Sequence, residues 1–254
     1  MAKKDYITNP TLFGKPEIIG FGSDEFFIRE IDRNMSNKII IKNHYSGKVT
    51  MSVLLHLGLY IDKKLEGVLQ FGHAMNPASV SNIVEGTETD MYLELNRMWL
   101  SDIAPRNSES MAISYCLKYI KGKFPKIKWI QSFADERCNC YGVVYQACNF
   151  DFYGEHENIF WELDGIMYHN KAMTIIDPTK STPTEKKLQA NKHRAKSHLL
   201  RQFRYIYFID KRWKKKCLLK EKPYPKHYDN SNGFEKTEAG RAFKKYGKSC
   251  TTVD

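Results

Sequence analysis

The chain has 254 residues, 42% of them hydrophobic and 13% aromatic, which is enough for a sizeable core and excludes an intrinsically disordered protein. It contains no apolar run of the roughly 18 residues that span a membrane, and its N-terminal lysines precede no apolar stretch, so neither a membrane protein nor a secreted protein is expected. The formal net charge is +11, and the six cysteines show no disulfide spacing, which favours a reducing cytoplasm.

The first half of the chain predicts a strand-rich domain. After an arm at 1–24, we expect a strand at 26–32 and a short helix at 35–46, although the three isoleucines of the latter also suit a strand. Residues 53–62 and 66–72 are typical of a β-hairpin. A polar loop follows at 73–90, and its length is typical of a functional loop.

A strand–helix–strand unit forms the centre of the sequence. The strand at 91–101 carries Arg97 in an otherwise apolar run, and the strand at 128–135 ends on Asp135. Between them, apolar residues at helical spacing predict a helix at 111–124, with Asn107 or Ser108 as its cap. The unit therefore places polar side chains where two neighbouring strands open to solvent.

The C-terminal part combines a hairpin with a basic extension. Two strands, 158–164 and 165–171, meet at Asp164-Gly165, a strong turn signal. A basic helix is expected at 184–203, then a strand at 204–210 and a charge run at 211–216. The predicted organisation is an arm at 1–24, a main domain at 25–179, a basic extension at 180–225 packed on that domain, and a flexible tail at 226–254.

The net positive charge of the protein comes entirely from its C-terminal third. Residues 180–254 hold 21 Lys/Arg and 7 Asp/Glu, whereas residues 1–179 hold 19 and 22. Basic residues interleaved with aromatic ones favour a nucleic-acid partner over a merely solvated tail, which is the alternative. The predicted contact residues are Lys192, Arg194, Arg201, Arg204, Arg212, Trp213, Lys214, Lys215 and Lys216.

Arg97 and Asp135 are predicted to face each other. A buried guanidinium needs a partner, and Asp135 ends the neighbouring strand. The pair has two interpretations: a structural ion pair that ties the sheet together, or a catalytic pair that positions substrate and polarises a carbonyl.

The sequence resembles the Mom family of phage DNA-modification proteins, within the GNAT-like acyltransferase superfamily. The stretches that carry the resemblance are Asn43–Gly47, Glu94–Leu100, Asn107–Ser114, Ser132–Gly154 and Arg204–Lys216. The resemblance implies an α/β (α+β) fold with a GNAT-like central, mixed and splayed β-sheet flanked by helices. It also implies an enzyme that adds a carbamoylmethyl group to the exocyclic amine of adenine in phage DNA, in the host cytoplasm, protecting that DNA from restriction.

The resemblance also assigns roles to individual residues. Tyr145 occupies the position of the tyrosine that protonates the leaving group in many GNATs, with a core tyrosine as the alternative. His44 and Tyr45 end the first helix near the substrate loop, where His44 suits a base near neutral pH; the alternative is a surface helix terminus. The donor-binding residues are expected at the N-terminus of the second helix: Arg106, Asn107, Ser108 and Ser110.

The acyl donor has two candidates. Acetyl-CoA would require attack at an unactivated methyl group, and therefore a redox metal such as iron or a radical. Glycyl-tRNA would allow acyl transfer followed by rearrangement, and it is favoured because Glu109 and Met111 fill the glycine slots of the usual CoA-binding motif. Cys138 and Cys140 are a weak zinc signal, and no metal site is predicted. DNA is the expected partner, tRNA a possible second one, and no membrane is expected.

Two other functions compete with this interpretation. A non-catalytic DNA-binding or anti-restriction protein would need the basic extension but not Arg97 and Asp135. A CoA-dependent acetyltransferase of another amine would need CoA but not DNA.

Overall fold

The computed structural model describes residues 3–11, 14–74, 76–136, 141–175, 179 and 181–226. The strands in these ranges are β1 Asp5–Asn9, β2 Glu17–Gly22, β3 Phe26–Glu30, β4 Val53–Ile61, β5 Lys64–Gly72, β6 Tyr92–Leu100, β7 Trp129–Asp135, β8 Asp151–Leu163, β9 Ile166–His169 and β10 Lys196–Phe208. They form a single sheet in the order β1-β2-β3-β4-β5-β6-β7-β10-β8-β9.

The helices are α1 Arg33–Asn43, α2 Ser108–Lys123, α3 Val143–Ala147, α4 Lys171–Thr174 and α5 Pro183–Ala190. Short 3₁₀ turns lie at Pro77–Asn82, Thr89–Met91, Lys192–Arg194 and Lys211–Lys216. In the described ranges, none of the helices combines the length and the apolarity that crossing a lipid bilayer requires.

The sheet is mixed because β6 and β7 run parallel, whereas every other neighbouring pair is antiparallel. The parallel ladder comprises only Tyr92–Trp129, Leu93–Ile130 and Glu94–Gln131, after which the two strands part. Helix α2 connects them and packs against β2 and β3. The predicted fold class, an α/β fold with a mixed and splayed sheet flanked by helices, is thus confirmed.

A β-bulge in β6, where the strands part, changes the face of the sheet to which the following side chains point. Gln70 of β5 lies opposite Arg97 and Phe71 lies opposite Leu95, so Asn96 is an extra residue. Leu93 before the bulge and Met98 after it both pack against the core beneath α2, which an unbroken two-residue alternation would not allow. Glu94 and Arg97 consequently point to the opposite face of the sheet, here called the open face.

Local signals in the sequence account for the elements that were predicted correctly. Asp32 Oδ1 accepts from the backbone N–H groups of Asn34 and Met35 and so starts α1. Asp164 (φ 52°) and Gly165 (φ 74°) both adopt the left-handed conformation that a tight β8–β9 hairpin requires. The β4–β5 hairpin, α2 and β7 also lie close to their predicted positions.

The structure differs from the sequence predictions in two segments. The N-terminal arm includes β1 and β2, which extend the sheet at one edge. The basic helix expected at 184–203 ends at Ala190, and residues 196–203 are instead the first part of β10, which lies between β7 and β8. The strand expected at 204–210 is confirmed over 204–208, the second part of β10. His198, Leu200, Phe203 and Tyr205 of β10 are buried, and burial on both sides of an inner strand outweighed the high helix propensity of its lysines, leucines and arginines.

Glycine is required at position 142, the N-cap of α3. Gly142 has φ 82°, and a Cβ atom there would overlap the ring of Tyr205. Gly86 has a similar φ of 71°, but a Cβ there would meet only Lys216 Nζ, at 3.9 Å. Both positions therefore require a left-handed backbone conformation, but only position 86 has room for a Cβ atom.

We predict that Gly142→Ala lowers the free energy of unfolding more than Gly86→Ala does. Both variants incur the left-handed strain of about 1–2 kcal/mol, and overlap with Tyr205 adds about 1–3 kcal/mol at position 142 only. Denaturant unfolding of the two variants measures the difference. Equal destabilisation would show that Tyr205 moves aside without cost.

Candidate active site

A hydrogen-bonded cluster occupies the apex where β6 and β7 part. Gln131 Nε2 donates to Glu94 Oε2 (2.8 Å), and Asn96 Nδ2 donates to Glu94 Oε1 (3.0 Å). Arg204 Nη1 of β10 donates to Gln131 Oε1 (3.1 Å). These four residues, Glu94, Asn96, Gln131 and Arg204, are called the apex cluster. They link three strands across the opening of the sheet.

The chemistry of the apex cluster fixes the orientation of its amides. An ionised carboxylate only accepts hydrogen bonds, so the amide nitrogens of Asn96 and Gln131 must face Glu94. The carbonyl oxygen of Gln131 then meets Arg204. Asn96 Oδ1 is turned away from the carboxylate and is buried, with no partner in the described part of the chain. The amide N–H groups of the cluster thus point to Glu94, and the oxygen of Asn96 is left as an unused acceptor.

Burial raises the pKa of Glu94 above the ordinary carboxyl value. Hydrogen bonds from Gln131 and Asn96, and the charges of Arg204 and Arg97, act in the opposite direction. A carboxyl group with a raised pKa beside an opening in the sheet is suited to accept a proton. The sequence analysis missed Glu94, although a carboxylate between Leu93 and Leu95 in a buried strand was a usable signal.

Next to the apex cluster, three side chains form an aromatic and cationic surface on the open face. The Arg204 guanidinium lies 4.9 Å from the ring centroid of Phe133. The ring of His156 meets Phe133 edge-on at 5.5 Å and 85°. Phe133, His156 and Arg204, called the shelf, come from β7, β8 and β10. Burial, and then the charge of Arg204, lower the pKa of His156, so its imidazole is neutral at neutral pH.

Arg97 and Asp135 are not joined by the ion pair that was predicted. Arg97 Nη1 donates to the backbone oxygen of Asn96 (2.6 Å), and Nε donates to that of Lys48 (3.2 Å). Asp135 is buried on β7, and the described residues show no ion pair between the two side chains. The physical reason is the parting of the strands, because both residues lie beyond the last rung at Glu94–Gln131. The catalytic roles of Arg97 and Asp135 stay predictions.

The contact of Arg97 with Lys48 fastens the loop after α1 to β6, and this loop carries His44 and Tyr45. His44 is buried, with its ring 4.2 Å from that of Tyr45. His44 Nδ1 meets both the backbone N–H (3.1 Å) and the hydroxyl (2.8 Å) of Ser46, so this nitrogen is engaged within the loop. The role of His44 as a base stays a prediction.

Tyr145 lies in α3 on the opposite face of the sheet. Its ring packs 5.6 Å from Phe150 and 5.4 Å from Tyr205, within the core beneath α2. This packing is what the core alternative requires, and the acid role stays a prediction.

The predicted donor-binding residues surround the N-terminus of α2. Asn107 is the N-cap in a left-handed conformation (φ 67°), but its side chain makes no capping bond. Ser108 is fully buried, and its hydroxyl has no partner among the described residues. Ser110 Oγ donates back to the Asn107 oxygen (3.0 Å), and Arg106 is exposed. The helix end therefore lacks a side-chain cap and keeps one unused hydroxyl, Ser108, which suits an anion.

The cysteines near this helix are poor nucleophiles. Burial raises the pKa of Cys148 to about 11 and that of Cys116 well above its usual value. Cys138 and Cys140 lie outside the described residues. Within the described residues, no three His, Cys, Asp or Glu side chains are grouped to hold a metal ion.

Many predicted nucleic-acid contacts already have partners within the protein. Arg201 pairs with Glu136 (2.8 Å) and lines a cavity of 410 Å³ with Phe152, Tyr141 and Tyr224. Arg194 pairs with Asp164, Arg212 pairs with Asp210, and Lys214 pairs with Asp151 and Glu221. Lys216 Nζ lies 4.3 Å from the ring of Trp213. The exposed lysines without an ion pair in the described part of the chain include Lys192 and Lys215.

Comparison with known proteins identifies relatives of this chain. The model of the Mom protein family matches residues 25–226. The methylcarbamoylase mom of Escherichia phage Mu is 46% identical over 228 residues, which cover 88% of this chain and 94% of that protein. Among solved structures, a Salmonella typhimurium acetyltransferase that modifies the N-terminal serine of ribosomal protein L7/L12 gives a TM-score of 0.44 at 10% identity, covering 74% of this chain and 97% of its own. A Staphylococcus aureus N-acetyltransferase gives a TM-score of 0.42 at 12% identity. The match covers 72% of this chain and 98% of that structure.

Titration of Glu94 predicts a pH dependence of stability. A carboxyl group whose folded pKa is raised favours folding below its unfolded pKa and loses that contribution as the pH rises through the folded pKa. The free energy of unfolding of the native protein, relative to that of Glu94→Gln, should therefore fall as the pH rises above about 4.5.

Glu185 provides a control of opposite sign. Backbone and hydroxyl hydrogen bonds from Thr182 lower its pKa, so its contribution is present above the unfolded pKa and is lost as the pH falls through the folded pKa. Thermal melting of Glu94→Gln and Glu185→Gln over a pH series measures both slopes. If the stability differences of the two variants change with pH in the same direction, the pKa of Glu94 is not raised in the folded protein.

Proposed function

The chain belongs to the Mom protein family, and we propose that it transfers a carbamoylmethyl group to the exocyclic amine of adenine in phage DNA, inside the host cell. Family membership makes the chain a transferase. The observation that carries the proposal is the 46% identity with a methylcarbamoylase over nearly the whole relative. The apex cluster supports it, because transfer to an amine requires a group that takes up a proton.

Glu94 is the proposed proton acceptor. The exocyclic amine is a weak nucleophile, so a base must remove its proton as the new N–C bond forms. Glu94 is a better candidate than His44, since Nδ1 of His44 already accepts from Ser46. Arg97 has further N–H groups with which to polarise the donor carbonyl, and Asp135 would orient the substrate from β7. Tyr145 would return a proton to the leaving group.

The proposed donor site is the N-terminus of α2. Its first turn lacks a side-chain cap, and the Ser108 hydroxyl is unused, so a phosphate of either acetyl-CoA or a tRNA end would find donors there. Glu109 and Met111 occupy the positions where a CoA-binding loop favours glycine. This substitution favours the aminoacyl donor, and in vitro assays with each donor alone distinguish the two.

DNA is the proposed acceptor, and the exposed basic residues would hold its backbone. The target amine lies inside a duplex, so the base must be flipped out or presented in a single strand. Lysines that are exposed and unpaired gain most from phosphate contacts, because those already paired must first break an internal bond.

Expression in a bacterial host should yield plasmid DNA with an adenine nucleoside that is heavier by a carbamoylmethyl group, measured by mass spectrometry of the nucleosides. Glu94→Gln should reduce the rate of modification by about 10²–10⁴-fold, because the proton acceptor is lost while the side-chain shape is kept. Unmodified adenine in the presence of folded native protein would refute the proposed function. A fully active Glu94→Gln variant would refute only the role of Glu94.

Two neighbouring lysines test the DNA contact. Lys215 is exposed, whereas Lys214 is held by Asp151 (2.9 Å) and Glu221 (2.8 Å). Lys215→Ala should weaken DNA binding equally for all sequences and reduce the slope of log K against log salt by about one. Lys214→Ala should change the slope less. Unchanged binding and slope in both variants would show that the basic turn at Lys211–Lys216 does not contact DNA.

A further inference from the structure

The shelf has no role in the steps described above, yet it adjoins the proposed proton acceptor. Phe133, His156 and Arg204 lie on the open face, and Arg204 reaches Glu94 through Gln131. Phe133 is only partly buried, although it lies on the strand that forms one edge of the opening. A partly exposed aromatic ring flanked by a guanidinium and an imidazole is unusual for a face that serves only packing.

The hydrogen-bonding chemistry around the shelf is specific. Arg204 can only donate, and one of its N–H groups already holds Gln131. Glu94 can only accept when it is ionised. The lowered pKa of His156 keeps its ring neutral, so the shelf places one permanent cation, not two, beside the ring of Phe133. A ligand bound here therefore meets a donor and an acceptor that are linked to each other by Gln131.

This pattern matches one class of nucleobase edge. Adenine presents an amine donor beside a ring-nitrogen acceptor, and cytosine does the same on a smaller ring. Guanine and thymine present a carbonyl oxygen at the corresponding position, which would face the carboxylate of Glu94. Flat aromatic and guanidinium groups are also the surfaces on which unpaired bases stack.

We propose that the shelf is the binding site of the flipped acceptor base: the base stacks against Phe133 and His156, Arg204 donates to a ring nitrogen at the edge of the base, and the adjacent amine points to Glu94. The inference rests on the proposed function, which requires an extruded base, and it adds the residues that select that base. Phe133, His156 and Arg204 are then specificity residues, and Glu94 alone takes the proton.

The test uses the full-length chain and two short single-stranded oligonucleotides, one of thymines with a single central adenine and one of thymines only. The native protein should bind the adenine oligonucleotide more tightly. Phe133→Leu, which keeps apolar volume but removes the ring, should reduce this preference by about tenfold. In the modification assay it should raise KM for DNA more than it lowers kcat, whereas Glu94→Gln should act mainly on kcat.

His169 provides a matched control for His156. Its ring meets Phe160 edge-on at 5.3 Å and 90°, an equivalent contact at the far end of β8. His156→Ala should lose adenine preference, and His169→Ala should keep both preference and activity. Thermal melting of each variant establishes that the protein is folded.

The outcomes separate this inference from the proposed function. The base-binding site lies elsewhere if the native protein modifies adenine but does not bind the adenine oligonucleotide more tightly. The same conclusion follows if Phe133→Leu and His156→Ala keep that binding preference. If adenine preference is present and is lost in these variants while no modified nucleoside forms, the base-binding site stands and the proposed reaction fails. Equal losses in His156→Ala and His169→Ala would reduce the effect to general destabilisation and overturn the inference.

Discussion

The site depends on the side-chain hydrogen bond between Gln131 and Glu94. These two residues form the last pair of the parallel ladder before β6 and β7 part. Beyond this rung the two strands no longer share backbone hydrogen bonds, and each keeps only its outer neighbour, β5 for β6 and β10 for β7. A half-buried carboxylate at such a point is unfavourable unless donors surround it. Gln131 and Asn96 supply these donors, and Arg204 fixes Gln131, so that the opening and its carboxylate are held by the same few bonds.

The sequence predicted the local elements around the opening but not the relation between them. Helix α2 and strand β7 follow from periodicity and turn residues within about 20 positions. The pairing of Arg97 with Asp135 required the register of β6 against β7, which no local signal encodes. The bulge at Asn96 and the short parallel ladder decide that register, and both depend on how β5 and β10 pack at the flanks. Arg97 and Asp135 were therefore placed on the correct strands but wrongly paired with each other.

The charge distribution of the sequence located the basic extension, but it did not show which of its basic residues are exposed and which are paired within the protein. The segment at 196–203 was assigned to a helix because its residues favour helices in isolation, whereas its position between β7 and β8 requires a strand. In that strand Arg201 pairs with Glu136 and Arg204 joins the apex cluster, so both charges are already engaged by groups of the protein. A count of lysines and arginines cannot distinguish these from Lys215, because ion pairing across a sheet is set by the tertiary fold.

Arg204 would couple the proposed base-binding site to the proposed proton acceptor. Its guanidinium lies over Phe133, and its hydrogen bond to Gln131 leads directly to Glu94. The charge of Arg204 lowers the pKa of Glu94 against the larger effect of burial, and it lowers that of His156 as well. A base bound beside Glu94 would cover the carboxylate and desolvate it further. This desolvation would raise the proton affinity of Glu94 when the amine of the bound base lies beside it, so that recognition of the base would itself prepare the group that accepts its proton.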